Sequence, residues 1–161
     1  MSDRAAHLVV AAILIAAGGL GLIAGFMEYL ASPIGPSRPP SASISLWDLF
    51  MEAGSRRTLL SAVLVVLAPG VLTLGVGIWA LIRAVSGKPI RDVAAVALGA
   101  GVFWVLFTVG WGAAYNASPE TTLEIGFWLL ALAGVAEVAA GVVGLIRPKG
   151  SGADVSAAVN R

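Results

Sequence analysis

The amino-acid sequence predicts an all-α membrane protein: four transmembrane helices in a bundle, with a short amphipathic helix in the long first outer loop. Three observations carry this. Hydrophobic residues fill 58% of the 161 positions and charged residues 12%, whereas a soluble domain is about half apolar and about a quarter charged. The apolar residues gather in four runs, near 8–30, 59–82, 93–115 and 123–146. A hydrocarbon core about 30 Å thick needs roughly 20 such residues as helix. Finally, most prolines and most charges fall outside the runs. Backbone groups in lipid must be satisfied within their own segment, so each run is expected as α-helix.

The first run, Leu8 to Leu30, is longer than the apolar stretch of a signal peptide. Tyr29 in "EYLAS" also stands where a cleavage site wants a small residue. It reads as a retained anchor. The loop that follows, 31–57, has two parts. Pro33, Pro36, Pro39 and Pro40 make the first part extended, because proline fixes φ and offers no N–H. The second part reads as a helix over about 45–53. Ser45 is placed as N-cap with Asp48 three residues on, and Gly54 is placed to end it. Leu46, Leu49, Phe50 and Ala53 share one face, with Trp47 beside them, and Asp48 and Glu52 share another. Such a helix is either a lid or docking element, or an interfacial helix resting on lipid or on the bundle.

In the second run Pro69 cannot donate to the preceding turn, so a kink or local opening is expected there. The third run puts Trp104, Thr108, Trp111 and Tyr115 on one face. Trp111 and Tyr115 suit an interfacial aromatic belt. Trp104 falls near mid-span, where its indole N–H needs an acceptor. The stripe reads as core or partner contact, or as the wall of a ligand pocket. "NAS" at Asn116 matches a glycosylation acceptor pattern, but Pro119 follows it and the stretch reads as a plain turn.

Basic residues set the expected orientation. Arg83, Lys88 and Arg91 lie in the second connection, and Arg4, Arg147, Lys149 and Arg161 lie near the ends. The third connection, "NASPE", has none. Arg38, Arg56 and Arg57 in the first loop dissent, but the balance puts both termini in the cytoplasm. The polar tail, 150–161, would follow the last span on that side. Alanine, glycine and valine abound, glutamine is absent, and asparagine occurs twice. This bias fits a GC-rich prokaryotic genome and a plasma membrane.

The same composition removes several chemistries. Without cysteine there is no disulfide or thiolate metal site. His7 has no second histidine with which to pair. A net charge of +1 without a basic patch does not suit nucleic acid. No cofactor, metal or catalytic constellation is expected, so the sequence does not read as an enzyme.

Two helix faces are built of small residues. Gly18, Gly21 and Gly25 lead to Glu28, and Gly134, Glu137, Gly141 and Gly144 repeat the same spacing. Small residues let membrane helices approach closely, so the first and fourth spans are expected to pack with these faces inward.

The exception in the fourth span is Glu137, roughly 18 Å along its helix at 1.5 Å per residue. An ionised acid at that depth is costly and usually marks a pathway, a relay or a polar pair. No lysine or arginine matches its depth. Glu137 is therefore neutral and bonded to Thr73, Trp104 or a carbonyl, or paired outside the chain, or wetted by a cavity. "LAGVAEVAAG" resembles, over about ten residues, the first helix of small multidrug-resistance transporters. That resemblance implies a glutamate shared between protons and cationic substrates. Here the motif lies in the fourth span, and the long outer loop and C-terminal extension depart from that family.

Two functions follow as expectations. One is an accessory or structural subunit that packs within a larger membrane complex or self-associates, its partners being lipid, other membrane subunits or further copies. The other is a small proton- or cation-coupled transporter using Glu137.

Overall fold

Long apolar runs and sparse helix breakers dictate the main elements. In the computed structural model, residues 3–31, 43–51, 63–116 and 122–146 are described. Helix α1 spans Asp3–Phe26, α2 spans Leu46–Met51, α3 spans Ala68–Val85, α4 spans Arg91–Asn116 and α5 spans Ile125–Ile146. The described residues are almost entirely helical, and among them α1, α3, α4 and α5 are long and apolar enough to cross a membrane.

Several boundaries differ from the sequence expectation by a few residues, and three of the differences have a physical reason. First, α1 stops at Phe26 rather than near Leu30. Glu28–Ala31 is instead a strand, β1, and it pairs antiparallel with β2, Ser43–Ser45, and with β3, Thr122–Leu123. The sheet order is β2–β1–β3, with an irregularity between Glu28 and Leu30. An all-helical reading missed this sheet. "EYLA" is apolar enough to extend a hydropathy window, but its backbone groups bond sideways.

Second, the run containing Pro69 does not continue as one α-helix. A π-helical turn, Val63–Leu67, precedes α3, and Pro69 sits in the first turn of α3. Proline lacks the N–H that would donate four residues back, so the register loosens before it and α-geometry begins around it. Third, α5 begins at Ile125, because Leu123 belongs to β3.

The loop helix α2 begins after Ser45. Asp48 N donates to Ser45 Oγ at 3.0 Å, and the Ser45 hydroxyl donates to Asp48 Oδ2 at 2.6 Å. Leu46 is buried, and the Trp47 ring lies 5.4 Å from that of Phe26 on α1. The Leu49 and Phe50 side chains, Ala53, Gly54, the proline-rich stretch, the "NAS" segment beyond Asn116 and the tail 150–161 lie outside the described residues.

The helices touch in the order α3–α1–α5–α4, with a thinner contact closing α3 onto α4. Buried apolar side chains form two clusters. One holds Val10, Leu14, Ala80, Ile90, Val93 and Ala140. The other, toward the sheet, holds Ala24, Leu46, Val66, Trp104, Phe127 and Leu130. At the end away from the sheet, α3 closes with Gly87 at φ +69°, a left-handed conformation that glycine adopts without strain. Lys88 N then donates to Arg83 O at 2.9 Å.

Candidate functional site

Between the two apolar clusters lies a polar pair. Thr73 of α3 donates its hydroxyl to Glu137 Oε1 of α5 at 2.8 Å. Thr73 is 3% exposed and Glu137 2%. Along α3, Thr73 falls between Val66 of one cluster and Ala80 of the other. Along α5, Glu137 falls between Leu130 and Ala140. The pair therefore sits inside the protein, with hydrocarbon layers above and below it. Glu137 Oε2 is buried and accepts or donates no hydrogen bond.

Close helix contact encloses this carboxyl. Opposite it on α4 is Gly101, where an added Cβ would lie 2.8 Å from Glu137 Cβ and 2.7 Å from Val138 N. A side chain at Gly101 would push α4 off α5. On α5, Gly134 abuts Trp104 and Val105, Gly141 abuts Leu98, and Gly144 abuts Ala94. On α1, Gly18 abuts Leu74 and Gly70, Gly21 lies near Gly70, and Gly25 abuts Val66. The two glycine faces thus do not meet. That of α1 receives α3, and that of α5 receives α4. Spacing alone identifies a small-residue face but not the helix that fills it. α1 and α5 do touch, notably where Gly126 comes under the carbonyls of Ala24, Met27 and Glu28.

Of the two expected partners for Glu137, the structure brings Thr73 and not Trp104. Trp104 is buried in the apolar cluster, edge-on to Phe107 at 5.4 Å and to Phe103 at 5.9 Å. The Thr108 hydroxyl donates to Trp104 O at 2.8 Å, within its own helix. Leu46 and Trp47 lie at the sheet end, against the same cluster.

Two surface features carry no pattern in the linear sequence. A groove of about 430 Å³ runs between α4 and α5, lined among others by Val105, Gly112, Phe127, Trp128 and Val135. A second cavity, of about 440 Å³, lies at the opposite end of the molecule, lined by Trp79, Ile82, Arg83, Ser86 and Lys88. There Arg83 is held by Asp92 at 2.6 Å, by Pro89 O at 3.1 Å and over the Trp79 ring at 5.3 Å. Among the described residues, no group of three or more His, Cys, Asp or Glu side chains is placed to hold a metal ion.

Chemically, the Glu137–Thr73 pair can hold a proton or anchor two helices. No protein-family model, curated protein or solved structure matches the chain.

Proposed function

We propose that this chain is a non-catalytic, multi-pass protein of a prokaryotic plasma membrane, with both termini cytoplasmic. It acts as an accessory or structural subunit beside other membrane subunits, or through association with itself. Its four long helices form a bundle, and α2 rests its apolar face on the outer end of that bundle. The observation that carries this reading is where the close packing is used. Gly18, Gly25, Gly70, Gly101 and Gly141 bring backbones together inside the chain so tightly that an added Cβ at each would fall under 3.0 Å from a neighbour. What remains for other molecules is the outer surface. There Phe103, Leu106, Trp128 and Leu132 stand exposed, and Trp128 lines the groove between α4 and α5. Native mass spectrometry of the tagged protein, gently extracted from its own host, tests this. A stoichiometric assembly with other chains or copies is expected, and a persistent monomer counts against it.

A second reading rests on Glu137 Oε2, buried without a partner. In it the chain is a small proton- or cation-coupled transporter, and Glu137 carries the ion. Glu137→Gln then abolishes pH-dependent transport in proteoliposomes while the protein stays folded. Unchanged flux removes this reading.

A further inference from the structure

The cavity at the end of α3 brings charged, polar and apolar side chains together. We infer that it binds the head group of an anionic phospholipid, with the acyl chains laid along the flank of α3. This rests on the reading that α3 crosses the membrane.

The turn after α3 makes the cavity. Gly87, in its left-handed conformation, lets the chain fold back so that Lys88 N meets Arg83 O. Ser86, Lys88 and Arg83 therefore face one space together with Trp79 and Ile82. Arg83 is fixed on three sides, by Asp92, Pro89 O and the Trp79 ring. Such a pre-positioned guanidinium can recognise a phosphate oxygen with little further loss of side-chain freedom. Lys88 is exposed and adds an ammonium, and Ser86 adds a hydroxyl. Arg4 of α1 reaches the same helix end, with Nη2 3.5 Å from Val85 O. Among the described side chains here, Arg83 is balanced by Asp92, and Lys88 and Arg4 leave a positive charge that favours an anion.

The flank of α3 selects a lipid over free phosphate. Ile78, Trp79 and Ile82 are 51%, 39% and 59% exposed, and they run up the helix from the cavity. Phosphate-binding groups meet apolar surface where a bilayer's head groups meet its chains. Trp79 marks that level, as tryptophan does at membrane interfaces. A ligand that satisfies both halves carries a phosphate and hydrocarbon in one molecule. A zwitterionic head group would bring its own cation into a site already rich in them.

The test uses the full chain in mild detergent, with native mass spectrometry reading bound lipid. The probes are phosphatidylglycerol, phosphatidylcholine and inorganic phosphate. Phosphatidylglycerol should be retained and phosphatidylcholine lost. Basic residues near an anionic surface contribute about 1 kcal/mol each, so Lys88→Gln should weaken phosphatidylglycerol about fivefold. Ser86→Ala should weaken it less, and inorganic phosphate should not displace it. Equal retention of the two lipids, or no effect of Lys88→Gln in a protein with unchanged circular dichroism, overturns the inference. So does inorganic phosphate that binds without lipid in a Lys88-dependent way, because the site would then serve a soluble anion. Release of the protein from membranes by alkaline carbonate would instead sink the membrane reading itself, which separates the two failures.

Discussion

Glu137→Leu should leave the protein as stable as the parent, or slightly more so. The parent gains one hydrogen bond, from Thr73 to Oε1 at 2.8 Å. In membrane interiors such bonds average about 0.6 kcal/mol and reach about 1.7. The parent also buries Oε2 without a partner, and an unsatisfied buried polar atom costs about 1–3 kcal/mol. Leucine, close in size, forfeits the first and relieves the second. Mid-range values leave a gain of about 1 kcal/mol. Thr73 is not stranded by the change. A helical threonine can turn its hydroxyl to the carbonyl four residues back, as Thr108 does to Trp104 O, and for Thr73 that carbonyl belongs to Pro69. Thr73→Val acts in the opposite direction. It leaves both carboxyl oxygens of Glu137 without a partner and should cost about 1–3 kcal/mol. Glu137→Gln keeps an acceptor for Thr73 and should stay within about 1 kcal/mol of the parent. Reversible unfolding in mixed micelles, titrated with sodium dodecyl sulfate and followed by circular dichroism, reads all three. A loss above about 3 kcal/mol for Glu137→Leu would refute the reasoning, because the carboxyl would then be contributing far more than one hydroxyl contact can supply.

Gly101→Ala should destabilise by roughly 1–3 kcal/mol, the usual cost of overpacking, since its Cβ would meet Val138 N at 2.7 Å and Gly134 O at 3.0 Å. Gly99→Ala, two residues away with nothing within 4 Å of the added Cβ, should be neutral or mildly stabilising in the same titration. Equal losses at the two positions would remove the packing argument. For orientation, a cysteine placed at Ser118 should react with a membrane-impermeant maleimide from outside intact cells. Labelling only after the membrane is opened would invert the proposed topology.

Some of this was legible in the sequence and some was not, for physical reasons. The four long helices follow from a requirement that any twenty-residue apolar run exposes: its backbone must satisfy itself. The level of Thr73 beside Glu137 follows from counting rises along two helices. The pairing of glycine faces does not follow, because Gly18, Gly21 and Gly25 define a direction on α1 and say nothing of whether α3 or α5 lies in it. The sheet was invisible for a different reason. Its strands have two to four residues, too few for alternation to register, and their partners lie far away in sequence. Trp104 misled through its polar nitrogen, when the greater part of its surface is hydrocarbon and packs with Phe103 and Phe107.

The central place of β1 has a consequence for how the molecule is made. Its two neighbours come from opposite halves of the chain. β2 lies in the loop that follows α1, whereas β3 lies between α4 and α5. Synthesis runs from the N-terminus, so β1 and β2 can pair while one edge of β1 still stands bare. That edge is covered only when residues 122–123 have emerged, after α4 is complete. The strand added last therefore works as a latch. It joins the connection ahead of α5 to the one behind α1, and it closes only on a chain whose α4 has brought its C-terminal end to the end of α1.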